Sequence, residues 1–532
     1  MTMYPHLLRC LASVATLAAM SACSRNAPES APTNQQMAYK MKTAAPNKPA
    51  TTAQISATVH LVDVIPASNS GETNQDSEPS LSVNPLNTNQ IVASAFTPGP
   101  FDTENNYCPR TLSPIYVSTD AGGNWALNCI VPTYPSTFDI TVRFGPQSGS
   151  LYAAILLNKS SNMVVLRTPN ILGASPMQPL LQRTSYDQPY IETARGVKSE
   201  AIYVGENNCC QVPVAGGKSA NIDQSFDAGT SKPNFSRAVI ESRDASGFDL
   251  ASVRTSIHPP DNAVYGVFMG VPGFADDQST LGSVVVVRDD QGGNGAHPYT
   301  SLKDKTDKLP GAIVANKLPM PPGPLGQQRL LSQSHVSIAV DPRPISNYPI
   351  YVAWVDRSGS GTCTLHIRRS NDKGQNWSQD LRTVQDATNP ALAVNSDGIV
   401  AILYQQLTGA QMWETHFEMS ADEFATVQEL PALSKAPDAS PTLQFEPYLG
   451  DYAHLLAIGR TFYGIFSANN IPDRNNFPFL KDYPNGLIYQ REANFDTHVL
   501  SDSRNHLAAV APSIDPFFVE VTLSSPPQSR NP

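Results

Sequence analysis

From about residue 58 onward, apolar and polar residues alternate with a period of two, in short runs bounded by Gly, Pro, Asn and Asp. That alternation predicts half-buried β-strands joined by turns, and helical periodicity is scarce enough that almost no helix is expected. One recurring run opens a unit: Glu78-Pro79-Ser80-Leu81-Ser82-Val83, Asp187-Gln188-Pro189-Tyr190-Ile191, His335-Val336-Ser337-Ile338-Ala339-Val340 and Asn389-Pro390-Ala391-Leu392-Ala393-Val394. A second strand is predicted at 90–96, 151–157, 201–205, 263–268, 350–355, 399–404 and 461–466. These make seven units at spacings of roughly 45 to 80 residues, as expected of a repeat whose loops vary in length.

Two segments punctuate the units: Ser118-Thr119-Asp120-Ala121-Gly122-Gly123-Asn124-Trp125 and Ser370-Asn371-Asp372-Lys373-Gly374-Gln375-Asn376-Trp377. Both read S-x-D-x-G-x-x-W, a match expected by chance on the order of a hundredth of a time in a chain this long. The spacing encodes a tight hairpin turn. The Asp carboxylate accepts backbone N–H groups of its own turn, Gly takes a conformation that a side chain would clash with, and Trp folds back as an apolar plug. Ser118, Asp120, Gly122, Trp125, Ser370, Asp372, Gly374 and Trp377 are therefore structural, with no catalytic role. Weaker copies are read at Ser242-Arg243-Asp244 before Gly247-Phe248, at 288–294, at Ser420-Ala421-Asp422-Glu423-Phe424 and at Arg167-Thr168-Pro169-Asn170.

These segments resemble the Asp-box, or BNR-repeat, proteins of the sialidase superfamily. The resemblance implies a single all-β propeller of four-stranded antiparallel blades, with each box joining the third and fourth strands on the side away from the active site. Seven blades are expected, with 58–65 completing the last one, and six is the alternative. Together with 446–452, 462–470 and 513–518, the likeness extends to bacterial Asp-box proteins labelled sialidase-like. Catalytic sialidases clamp a substrate carboxylate with three Arg residues, the first in an Arg-Ile-Pro motif, and use a Tyr nucleophile assisted by Glu with an Asp acid/base. No Arg-Ile-Pro occurs here, and the family role cannot be carried onto Arg143, the nearest early Arg on a first strand.

Composition narrows the classes. Charged residues make up 15% of the chain, against about 25% for an average domain, while 46 Pro and 32 Gly favour many short strands. A net charge of -10 gives no global attraction for nucleic acid or anionic lipid. An anionic ligand therefore needs a local Arg or Lys pocket.

The N-terminus reads as an export signal. An apolar run at 11–20 follows Arg9, too short to span a bilayer, for which about 20 residues are needed. It leads into Met20-Ser21-Ala22-Cys23, which resembles the lipobox of bacterial lipoproteins. That likeness implies a signal peptide over 1–22, lipidation of Cys23 and, from Ser24, outer-membrane sorting. Residues 23–57 are too polar to fold alone and read as a tether, with the propeller over 58–522 and a tail over 523–532. Cys108 and Cys129 bracket one predicted hairpin and are the first choice for a disulfide. Pairing among Cys209, Cys210 and Cys363 stays open.

First strands of a propeller gather their polar ends at one axial face, so ligand groups come from several blades. The candidates there are Asp76, Glu78, Arg143, Asp187, Tyr190, Arg254, His335, Asp451 and Tyr452. Asp451 and Tyr452 supply an acid and a phenol, and Asp187 and Arg143 complete the catalytic candidates. Asn469, Asn470, Asp473 and Arg474 are read in a loop that overhangs the disc. No cofactor and no metal motif is found, and calcium at an acidic loop has no assigned position. Two functions follow: a surface glycan-processing enzyme of glycosidase or lyase type, or a non-catalytic propeller binding a glycan or envelope protein. Either is expected as a monomer that meets the membrane through its lipid alone and binds no nucleic acid.

Overall fold

The computed structural model describes residues 55–96, 114–132, 134, 137–157, 162–207, 220–243, 252–274, 280–320, 323–330, 335–358, 362–505 and 507–524. The segment read as a signal, Cys23, Cys108, Cys209, Cys210 and the last residues of the tail lie outside them. Among the described residues, seven sheets of at least four strands succeed one another along the chain, antiparallel except where Leu487–Ile488 joins the last of them in parallel. Within the first six, four consecutive strands lie side by side in sequence order. Their innermost strands are Ser77–Val83, Thr137–Phe144, Asp187–Ala194, Arg254–His258, Val336–Val340 and Ala387–Val394, and His454–Ile458 is innermost in the seventh. Each innermost strand packs against the next, and the last returns to the first. The result is a β-propeller.

The second strands are Ile91–Phe96, Leu151–Leu157, Ala201–Asn207, Ala263–Phe274, Ile350–Ser358, Val400–Leu407 and Thr461–Asn469. Ala57–Asp63 joins the seventh sheet beside Ile514–Leu523, with Val59 opposite Val521 and Leu61 opposite Val519. This pairing ties the start of the fold to its end. Helix among the described residues is limited to the short 3-10 turns Ala67–Asn69, Arg474–Asn476 and Pro478–Lys481, and no helix is long and apolar enough to cross a membrane.

An innermost strand is also a sheet edge, with backbone groups that need partners. The alternating Ser and Thr residues supply them across blades. Val142 and Phe144 donate their amides to the hydroxyls of Ser80 (3.1 Å) and Ser82 (2.8 Å), Ile191 to Thr141 (3.1 Å), and Leu392 to Ser337 (3.0 Å). The intervening apolar residues fill the space between sheets: Tyr265, Val267 and Met269 pack with Val336, Ile338 and Trp354. Each such side chain, fully buried, contributes about 1.5–3 kcal/mol.

The S-x-D-x-G turns join third strands to fourth strands. The hydroxyl of Ser118 donates to Asp120 (2.8 Å) and accepts from the Gly122 amide (2.9 Å), while Asp120 accepts the Asn124 amide (2.9 Å) and Trp125 Nε1 donates to Gly122 O (2.9 Å). Ser370, Asp372, Gly374 and Asn376 repeat the hydroxyl and carboxylate bonds at 2.8 Å. Gly122 and Gly374 have φ of 90° and 91°, and a Cβ on Gly122 would meet the Phe518 ring at 2.2 Å.

Ser420 and Asp422 form the same turn, with Phe424 and Thr426 in place of Gly and Asn. The third sheet differs from expectation. Its turn is Ser225-Phe226-Asp227, closed by Asn234 donating its amide (2.8 Å) and Nδ2 (2.9 Å) to Asp227. Residues inserted before Asn234 hide the spacing. Ser242-Arg243 instead follows the fourth strand Ser236–Val239, and residues 244–251 lie outside the described ones. Cys363 is a buried free thiol. Because Cys108 is not described, its pairing with Cys129 stays an expectation.

Candidate functional site

All seven innermost strands run in one direction, so their N-terminal ends meet at one mouth of the axis. Third strands run the same way, which places the box turns that follow them on the opposite face. Four innermost strands begin with a bulge, between Ser77 and Ser80, Thr137 and Ile140, Asp187 and Tyr190, and Thr388 and Ala391. In three of these a residue before Pro has positive φ: Glu78 at 53°, Gln188 at 49° and Asn389 at 52°. That conformation is uncommon for a side-chain-bearing residue and must be held by its surroundings. Asn389 is held by Gln405 Oε1 (2.9 Å) and Gly450 O (3.1 Å), and Ser252 donates to Gln188.

Gly450, at φ 97°, presses on the backbone of Glu78 so closely that a Cβ would lie 2.3 Å from its nitrogen. Gln328 clamps the same turn, donating to Gly450 O (3.0 Å) and accepting the Leu449 amide (2.7 Å). Asp451 is thereby fixed beside the opening of the first blade.

An axial cavity of about 230 Å³ is lined by Arg143, Tyr190, Arg254, His335, Asn389, Asp451, Tyr452 and His454, among others. One side is acidic. Glu78 and Asp139 share a hydrogen bond in which burial and the charges of Asp139 and Asp451 push the Glu78 pKa well up, so Glu78 carries the proton. Asp187 is pushed up to about 7 by burial and then by Asp139, with Asp451 adding to the shift. Asp451 accepts from Arg329 at 2.6 Å, and its other oxygen has no hydrogen-bond partner among the described residues.

The other side is cationic and aromatic. Arg143 donates to Leu81 O (2.8 Å) and Glu192 (2.6 Å) and reaches the Tyr190 hydroxyl (3.2 Å). Arg254 lies over the rings of Tyr190 (4.9 Å) and Tyr452 (5.0 Å). It is 4% exposed, and among the described residues neither terminal nitrogen has a hydrogen-bond partner. The Tyr452 hydroxyl and His335 Nε2 also lack partners among them. Burial lowers the His335 pKa to about 4. Burial, with Arg143 and Arg254, holds His454 well below its ordinary value. Both rings are neutral near pH 7. His454 Nδ1 accepts the Leu81 amide (3.0 Å), and its Nε2 faces Arg143 Nη2.

Thus Arg143, Tyr190, Arg254, His335, Asp451 and Tyr452 line one cavity, and Glu78 and Asp187 adjoin it electrostatically. Asp76 is elsewhere, in a buried group with Glu72 and Asp515 whose carboxylate oxygens lie within 4.8 Å of one another. Arg491 already supplies the cation there, bonded to Asp515 and 3.6 Å from Asp63, and burial pushes Glu72 up to about 8. Asn469 and Asn470 serve the backbone: Asn469 donates to Ser440 O (2.7 Å), and Asn470 accepts the Ser513 amide (2.9 Å). Asp473 caps a 3-10 turn, and Arg474 stacks on Phe495 at 5.0 Å. Asp139, Glu192, Arg329 and His454 were not foreseen. Asp139 was findable as the residue in the Thr137–Ile140 bulge, had that strand been aligned with the Glu78 and Gln188 strands.

Comparison of the sequence with protein-family models and with curated proteins finds no match. The structure is similar to the Penicillium chrysogenum α-L-arabinanase complexed with arabinobiose, with TM-score 0.37 and 12% identity over 87% of this chain and 98% of that one. The α-L-arabinofuranosidase Arb93A of Fusarium graminearum gives TM-score 0.37 and 11% identity over 65% and 92%. A puromycin-hydrolyzing peptidase of Mycobacterium tuberculosis gives 0.38 and 11% over 76% and 52%. These likenesses, all with TM-scores below 0.5, carry no argument about substrate.

Proposed function

We propose that the protein is an exported, lipid-anchored, sialidase-like propeller that cleaves anionic glycans in its axial cavity. Asp187 acts as the acid, Asp451 is the companion carboxylate, and Arg254 meets the anionic group of the sugar. The observation that carries this reading is a buried Arg254 in the axial cavity whose terminal nitrogens have no hydrogen-bond partner among the described residues, with the carboxyl of Asp187 pushed up to about 7 by burial beside the acidic side. An unpaired buried cation is strongly unfavourable, and a ligand anion relieves it. A carboxyl with pKa near the working pH is suited to general acid catalysis, worth about 10²–10⁴ in rate. Cleavage by paired carboxyl groups needs one of them protonated, the role proposed for Asp187, with Asp451, bonded to Arg329 at 2.6 Å, as its companion.

The chain is proposed to act as a monomer without a resident cofactor, held at the outer membrane by Cys23. A panel of fluorogenic glycosides and acidic polysaccharides tests the reading. Turnover by the wild type that falls at least a hundredfold in Asp187→Asn or Asp451→Asn, with folding intact, supports it. No turnover, with binding equal in the wild type and both variants, leaves the non-catalytic glycan-binding or envelope-protein-binding propeller. The unpaired Arg254 favours an anionic ligand in that case too.

A further inference from the structure

The face that carries the box turns lies at the C-terminal ends of the innermost strands, and most exposed large apolar side chains collect there. Leu86 (54% exposed), Val197 (101%) and Ile345 (41%) sit in connections from first to second strands, and Leu172 (62%), Leu309 (37%) and Val427 (38%) in connections from third to fourth. Strand direction puts both kinds of connection on the box face. The six come from six successive blades. Single exposed apolar residues are ordinary on any protein. Their distribution is what matters here, because they ring one face instead of forming one patch. A protein partner would bury a compact patch, whereas a plane meets every blade at once.

Two further observations identify the plane. The strand Ala57–Asp63 runs antiparallel to the third strand Ile514–Leu523, so its first residue lies on the box face. The chain from Cys23 therefore enters the fold on the face that carries the apolar tips. Some charges there are matched locally: Arg288 with Asp290 (2.7 Å), Arg460 with Asp397 (2.8 Å) and Lys373 with Asp261 (3.6 Å). The box aspartates are turned inward onto backbone amides. Exposed Arg195 and Lys198 flank Val197, and exposed Lys303 and Lys308 lie beside Leu309, with no ion pair among the described residues, so cations stand beside the apolar tips, where they suit anionic headgroups.

We infer that the box face rests on the phospholipid bilayer that holds the chain's lipid, with the apolar tips in the headgroup region and the axial mouth turned away from the membrane. Tips of this kind bind weakly and reversibly by themselves and act together with an anchor.

The test uses the full-length chain on vesicles of phosphatidylethanolamine and phosphatidylglycerol, with hydrogen exchange read by mass spectrometry. Exchange is expected to slow at 84–90, 170–173, 195–200 and 341–349, and to stay unchanged at 185–190 and 445–452. The Leu86→Asp/Leu172→Asp/Val197→Asp variant should lose that protection while its thermal unfolding stays where it was. In the Cys23→Ser background, which removes the lipid, the native tips should bind vesicles about tenfold better than the triple variant, a difference of about 1.4 kcal/mol. Protection at 185–190 and 445–452 overturns the inference, as does equal vesicle binding by the native and triple-variant tips.

Discussion

Arg254 stacks on the ring of Tyr452 at 5.0 Å, with no hydrogen-bond partner on either terminal guanidinium nitrogen among the described residues. Burial lowers its pKa from the ordinary arginine value, with the tyrosines and Asp139 acting in opposition. A guanidinium kept this way destabilises the empty fold and gains partners only when a ligand arrives.

Arg254→Met should therefore raise stability and remove function together. Replacing a poorly compensated buried charge by an apolar side chain of similar length is worth about 1–4 kcal/mol, visible as a higher denaturant midpoint. Binding of anionic glycans should fall, while neutral analogues lose little.

Stability should decline toward alkaline pH. The folded pKa values of Asp187 and Glu72, about 7 and about 8, lie above their ordinary 3.8 and 4.5. Their contribution is thus full below about pH 4 and is lost as the pH rises through 7 and then 8. Thermal unfolding measured from pH 5 to pH 9 should show this fall, and Asp187→Asn combined with Glu72→Gln should flatten it.

Activity should carry an alkaline limb near pH 7, because the acid must hold its proton. Substituting Arg329, the partner of Asp451 at 2.6 Å, by Met should move that limb by changing the charge balance of the acidic side, with kcat affected more than KM. A limb that stays in place would remove Asp187 from the acid role.

The turn at Asp227 should behave like those at Asp372 and Asp422. Each accepts a backbone amide at 2.8 Å and a side-chain donor, so an Asp→Ala change at any of them should cost about 1–3 kcal/mol. Glycan turnover per folded molecule should not change.

The propeller was legible because alternation and turn chemistry are local. The second strands at 151–157 and 461–466, for example, were readable from apolar period alone. The Ser225-Asp227 turn was not, because the residues before Asn234 break the spacing without breaking the hydrogen bonds. At the site, the openings at Glu78 and Asp187 were visible as polar residues beside Pro. Their company was not. Asp139 has no Pro neighbour, Arg329 arrives from the Gln328–Leu330 hairpin strand, and Asn469 looked exposed in sequence but is 4% exposed in the fold. Partners brought together by ring closure leave no trace in local pattern.

The most direct measurement is a crystal structure of the Asp187→Asn variant soaked with the acidic oligosaccharide that the wild type cleaves fastest. The sugar should lie in the axial cavity, its anionic group within hydrogen-bond distance of the Arg254 terminal nitrogens and its reacting bond beside residue 187. A sugar bound on the box face or along the outer strands, with the cavity empty, would contradict the account.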